Sequence, residues 1–126
     1  MKPRIVKDIV ISARPEYQGY DEEAKCHVFL YHISIENLTS ETWQLMSRYW
    51  EISNGLDFKR EVKGEGVVGE QPVLRPAGYY SYGSQCFCIG EVTYMKGYYI
   101  FRNVETDEKI KAEIPTMTLI TPNRYN

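Results

Sequence analysis

Histidine and cysteine are scarce in this chain, two and three among 126 residues. His27 and His32 lie five apart in one alternating stretch, which puts them on opposite faces of a strand and denies them a shared metal. Cys86 and Cys88 share a face, but a tight structural zinc site needs four ligands, and Cys26 joins them only if its strand lies alongside. No Gly-x-Ser-x-Gly elbow is present, and acidic pairs such as Glu22–Glu23 mean little among 17 acidic residues. The composition therefore predicts neither a metal site nor an enzyme, and calls for no cofactor.

Other absences exclude further classes. No apolar run approaches the ~20 residues of a membrane helix. Met1-Lys2-Pro3-Arg4 leads into no secretory h-region, so the odd number of thiols reads as reduced cysteines in a cytoplasmic protein. There is no basic excess: 15 basic residues face 17 acidic ones, a net charge of -2. Lys59-Arg60 and Lys109 with Lys111 are interleaved with acids and read as solvated faces, which argues against direct nucleic-acid binding or an anionic membrane. Repeats, low-complexity stretches and linkers are missing too, so residues 1–126 read as one domain. No amphipathic helix of ten residues or more can be traced.

What is present is a period of two. In "CHVFLYHISIEN", Phe29, Tyr31, Ile33 and Ile35 alternate with Leu30, His32, Ser34 and Glu36. Ile9, Ile11 and Ala13 alternate likewise, and "TWQLMSRYWEIS" reads as a strand bounded by Asn54-Gly55, a turn that needs positive φ. "LDFKREVKG", "GYYSYGSQCFC", "EVTYMKGYYIFRNV" and "EKIKAEIPTMTLI" follow as further strands, with a turn over 103–108. Pro115 falls inside the last of these and predicts an edge or a bulge. Eleven tyrosines suit half-buried pleated surfaces. Seven or more short strands predict an all-β sandwich of fibronectin type III or immunoglobulin-like kind, held without disulfides.

One motif stands out. Gly64, Gly66 and Gly69 in "KGEGVVGEQPVLRP" have the Gly-x-Gly-x-x-Gly spacing of a loop that cradles a pyrophosphate. Such a loop opens a helix, and Pro72 and Pro76 forbid one here, so the dinucleotide fold fails on context. Two readings remain open. The glycines bend the chain, or their N–H groups form a helix-free nest for an anion, helped by Lys63 beside the loop and by Arg75 and Arg48 as auxiliary cations. Glu65 and Glu70 oppose the second. Arg48 and Trp50 share a strand face, either for packing or to place a guanidinium near the loop.

"QLMSRYW" (Gln44 to Trp50), "GEGVVGEQPVL" (Gly64 to Leu74), "MKGYY" (Met95 to Tyr99) and "IPTMTLITP" (Ile114 to Pro122) resemble, in that order, the motifs of the ApaG family. The resemblance covers nearly the whole chain and implies a single ApaG domain with a fibronectin type III-like sandwich and no established enzymatic activity. Similar domains are appended in eukaryotes to an F-box protein and to a partner of a DNA polymerase, which implies protein–protein interaction. Bacterial members are associated with cobalt tolerance and magnesium efflux, and pyrophosphate or nucleotide binding has been suggested at the glycine motif. Three positions depart from the pattern: Ala77 before Gly78, Thr93 where glycine is common, and Met117 for phenylalanine. The first two bear on turn geometry and the third on the core.

The expectation is a non-enzymatic module for a protein partner, a homodimer being one form of it. The alternative is a pyrophosphate or nucleotide binder linked to divalent-cation homeostasis. A basic pocket beside the glycine loop would favour the latter; an exposed apolar or aromatic patch, or an open sheet edge, would favour the former.

Overall fold

A computed structural model of the chain describes residues 4–5 and 8–122. The reading of Met1 to Pro3 as no export leader lies outside the described residues. Among the described residues nine strands are formed: β1 (Arg4–Ile5), β2 (Ile9–Asp21), β3 (Cys26–Asn37), β4 (Trp43–Ser53), β5 (Lys59–Glu65), β6 (Val73–Leu74), β7 (Tyr79–Cys88), β8 (Val92–Asn103) and β9 (Lys109–Ile120). They make two sheets. One runs β1-β9-β8-β4-β5, with β6 on the same edge of β4 as β5; the other runs β2-β3-β7. All pairings are antiparallel except the short β1–β9 pair. The predicted all-β sandwich is what the chain adopts, and its three cysteines are free thiols.

The alternation seen in the sequence is the alternation of burial. Phe29, Tyr31, Ile33 and Ile35 of β3 face Trp43, Leu45, Trp50, Tyr99 and Phe101 of the larger sheet, all buried in one core cluster. Burying side chains of the size of Ile33, Leu45 or Phe101 contributes about 1.5–3 kcal/mol each relative to exposure. Met117, the departure from phenylalanine, sits in this core as expected.

Local irregularities carry most of the site's geometry. In β4 the register shifts between Leu45 and Ser47. This bulge re-aims the strand so that Leu45 before it and Trp50 and Ile52 after it all face the core. In β9, Ile114 pairs with Gly97 and Met117 with Met95, leaving Pro115 and Thr116 opposite Lys96 alone. The proline thus lies at a bulge, where its missing N–H costs no ladder bond. Strand β2 continues well beyond Ala13, through Pro15, to Asp21. It can do so because it is an edge strand, with its own register shift between Tyr17 and Gly19.

Two expectations are corrected. The strand predicted from Leu56 begins at Lys59. Asn54 captures the preceding residues, its Oδ1 accepting the N–H groups of Leu56 at 2.9 Å and Phe58 at 3.0 Å. Gly55 takes the predicted positive φ, at 80°. Thr93 stands in the β8–β9 ladder, the second residue of its strand and paired with Leu119, rather than in the turn itself. Ala77, in contrast, does occupy a turn in left-handed backbone, φ 65°.

Candidate functional site

The glycine motif is an out-and-back excursion in an otherwise continuous edge. β5 and β6 run the same way along β4, and the chain between them leaves the sheet and returns. Val67 and Glu70 close it by exchanging two backbone hydrogen bonds, 2.8 and 2.9 Å, around Val68 and Gly69. Both central residues have positive φ, 42° and 82°, the pattern of a tight two-residue hairpin turn. The base is sealed onto the β4 bulge: Met46 O accepts the Gly66 N–H at 2.8 Å and the Gln71 side-chain amide at 2.9 Å. Gly66 is forced by close approach as well as by its φ of 62°, since a Cβ there would lie 2.1 Å from Glu70 O. The N–H groups of Gly66, Val67 and Glu70 are therefore already donated within the protein.

The proposed cations go to different places. Lys63 points to the outer face of the sheet, its Nζ 5.9 Å from the centre of the Tyr49 ring. Arg75 is exposed in the turn after β6. Arg48 takes the inner side with Trp50, as their shared face implied. Its Nη1 donates to Glu65 O at 3.1 Å and Gly66 O at 2.9 Å, bracing the start of the loop from within the sandwich. No carboxylate pairs with Arg48 among the described residues. The structure thus brings Arg48 to Gly64 and Gly66 and leaves Lys63 and Arg75 apart from it.

Arg48 opens onto a cleft of about 270 Å³ between β5 and β7, the facing edges of the two sheets, lined also by Tyr31, Trp50, Arg60 and Ser84. Trp50 is 2% exposed and its indole N–H has no hydrogen-bond partner. Behind it the Tyr82 and Tyr99 hydroxyls hydrogen-bond to each other. Burial pushes both phenols, and that of Tyr31, above their ordinary value, with Arg48 pulling the other way.

A larger cavity of about 610 Å³ adjoins this cleft, sharing Ile52, Arg60 and Phe87 with it. Its wall is apolar, with Cys26, Phe58, Cys88 and Ile89, and Thr93 on the β8 side. Phe58, Phe87 and Ile89 at its mouth are 48%, 49% and 85% exposed. Cys26 and Cys88 meet the same cavity because β3 and β7 are neighbours, and Cys86 Sγ lies 3.6 Å from Cys88 Sγ. Hydrogen bonding from Cys86, with lesser help from Thr93 and the Arg60 charge, holds the Cys88 thiol down to about 7. Cys86 is pushed up by the same contact. No group of three metal-ligating side chains comes together among the described residues. His27 is bonded to the Tyr17 hydroxyl and His32 to Glu16, on opposite faces of β3.

Sequence reasoning placed Lys59-Arg60 together on a solvated face, and both are exposed, but it missed that Arg60 also lines the cavities. Lys59 does pair with Glu51, at 3.1 Å, but Arg60 alternates with it and lines both cavities. The period-two pattern Arg60, Val62, Gly64 was the available signal.

A family profile described as the ApaG domain matches residues 17–103. Protein ApaG of Brucella suis biovar 1 (strain 1330) is 37% identical over 127 aligned positions, covering 98% of this chain and 96% of the relative. Protein ApaG of Thiobacillus denitrificans is 44% identical over 102, covering 81% and 80%. Among solved structures, a Bordetella pertussis protein described as ApaA superposes with a TM-score of 0.83 at 32% identity, covering 96% of this chain and 99% of that one. A β-glucuronidase of Bacteroides uniformis shares only the fold of a small part, TM-score 0.56 at 10% identity over 84% of this chain and 12% of that one. The order of the motifs, the two-sheet sandwich and these full-length matches agree, and the chain belongs to the ApaG family.

Proposed function

We propose that this chain is a non-enzymatic interaction module that receives an extended segment of a protein partner along the β7 edge. One observation carries the reading. Tyr79–Cys88 is a ten-residue edge strand with no charged residue and no proline. An edge offers unpaired N–H and C=O groups to any incoming strand, and proteins normally blunt it with charge, proline or a bulge. The other long edges are blunted in those ways: β2 by Arg14, Pro15, Glu16 and its irregularity at Tyr17–Gly19, β5 by Lys59, Arg60, Glu61, Lys63 and Glu65, and β9, which β1 covers only at Ile110 and Lys111, by Glu113 and the bulge at Pro115. β7 alone among them is left open, and strand addition is a common mode of peptide recognition. A second copy of the chain is one such partner and would give a homodimer. The engagement of both histidines by Tyr17 and Glu16 supports a non-catalytic role, and three free thiols fit a cytoplasmic setting.

The test is to blunt the edge. Lysines at the exposed positions Ser81 and Gln85 should abolish capture of partner polypeptides without lowering the melting temperature. A control lysine at Ser12 in β2 should leave capture intact. Capture that survives both β7 lysines would refute the reading.

The alternative, a pyrophosphate or nucleotide site at Gly64, Gly66 and Gly69 linked to divalent-cation homeostasis, draws on Arg48 beneath the loop. It has less support, because three of the loop's N–H groups are already donated and Glu65 and Glu70 flank it.

A further inference from the structure

The two adjoining cavities differ in character, and the difference specifies a ligand. The larger, about 610 Å³, is within the usual range of small-molecule sites, roughly 300–1,000 Å³. Its wall is apolar and its mouth keeps Phe58, Phe87 and Ile89 in water. Exposing several large apolar side chains around one opening is costly unless something covers them. The smaller cleft supplies the opposite chemistry. Arg60 stands at the seam, lining both spaces, and among the described residues no carboxylate neutralises it. Its charge reaches inward far enough to favour the thiolate forms of Cys86 and Cys88. One strand pair deeper, the Trp50 indole N–H is buried without an acceptor. A buried donor with no partner costs free energy that a bound acceptor would recover.

We propose that this double cavity binds a small amphipathic carboxylate, with its apolar body among Phe58, Phe87 and Ile89 and its carboxylate on Arg60. The charge decides against a neutral or cationic occupant: the seam holds the unneutralised Arg60 guanidinium and no acidic side chain lines either space. Arg48 adds positive potential to the same cleft while its own N–H groups stay on Glu65 and Gly66. The cavities are lined in part by β7, Ser84 to Cys88, but the proposal does not rest on strand addition there.

The probe is decanoate, with decanol as its uncharged counterpart, titrated by calorimetry and followed by tryptophan fluorescence. Decanoate should bind saturably at one site per chain and perturb the emission. Arg60→Gln should weaken it tenfold or more, Arg60→Lys should restore most of the affinity, and decanol binding should be insensitive to both. Ala24→Trp, an exposed position on the cavity wall, should block both probes while thermal melts remain unchanged. Three outcomes would overturn the proposal. These are decanol binding as tightly as decanoate, decanoate binding untouched by Arg60→Gln and Ala24→Trp, and concentration-dependent self-association lost in Ala24→Trp without decanoate binding. The last would give the cavity to a second copy of the chain.

Discussion

The guanidinium of Arg48 occupies the space that a side chain at Gly64 would fill: a Cβ at Gly64 would come 2.7 Å from Nη2 and 2.8 Å from both Cζ and Nη1. The first glycine of the motif is therefore paired, across the β4–β5 ladder, with the arginine that holds the loop's first carbonyls. Gly64→Ala should cost about 1 kcal/mol, because the guanidinium that must shift gives up its bonds to Glu65 O and Gly66 O. In an Arg48→Ala background the same change should cost under about 0.5 kcal/mol, because the collision is gone. Urea denaturation of the four proteins in this cycle checks it, and equal costs in both backgrounds would separate the two residues.

The second and third glycines should not be equivalent. Gly69 has positive φ but open space around it, so Gly69→Ala carries only the left-handed penalty of about 1–2 kcal/mol. Gly66→Ala adds a backbone collision with Glu70 O and should cost about 2 kcal/mol more than Gly69→Ala. Denaturant midpoints of the two variants give the comparison directly.

Four of the described non-glycine residues sit in left-handed backbone, Val68 at φ 42° and Ala77 at φ 65° together with Lys25 and Asp107. Val68→Asn converts the tip of the excursion to Asn-Gly, the pair most suited to this turn, and should stabilise by about 1 kcal/mol. Ala77→Gly trades the same strain against greater chain entropy and should gain about 0.5 kcal/mol. Thermal melts should show both transitions moving upward.

Tyr82 and Tyr99 predict a stability that fails in alkali. Burial raises both above the ordinary value of 10.0. Below pH 10 both phenols are protonated in either state and contribute no pH dependence. Above it the unfolded phenols ionise while the folded ones keep their protons, so stability falls with rising pH, by up to about 1.4 kcal/mol per pH unit for each group. Tyr82→Phe should shrink that slope and change stability near neutrality by only about 1 kcal/mol, the worth of its hydrogen bond to Tyr99. Chemical denaturation across neutral and alkaline pH measures both.

The strands were legible because period-two alternation is local: Phe29 to Ile35 announce their face within seven residues. Backbone demands were legible where one residue type answers them, as at Gly66, Gly69 and Pro115. The Met46 bulge was not, since nothing in "QLMSRYW" marks which residue is extra; yet it is this bulge that meets the base of the glycine excursion. The continuation of β2 through Pro15 was hidden too, because proline reads as a break until the strand is known to lie at an edge. The double cavity was out of reach for a deeper reason. The cavity walls come from β3, β4, β5, β7 and β8 together with the loops at one end of the sandwich, and no single stretch of sequence encodes that meeting.

The central claim, that partners add to the β7 edge, is tested most directly by amide hydrogen exchange on the chain alone and in complex with a captured partner. The expected result is new protection concentrated in Tyr79–Cys88, with the excursion at Gly66–Gln71 unchanged. Protection appearing at Gly66–Gln71 while the β7 amides exchange as before would contradict it.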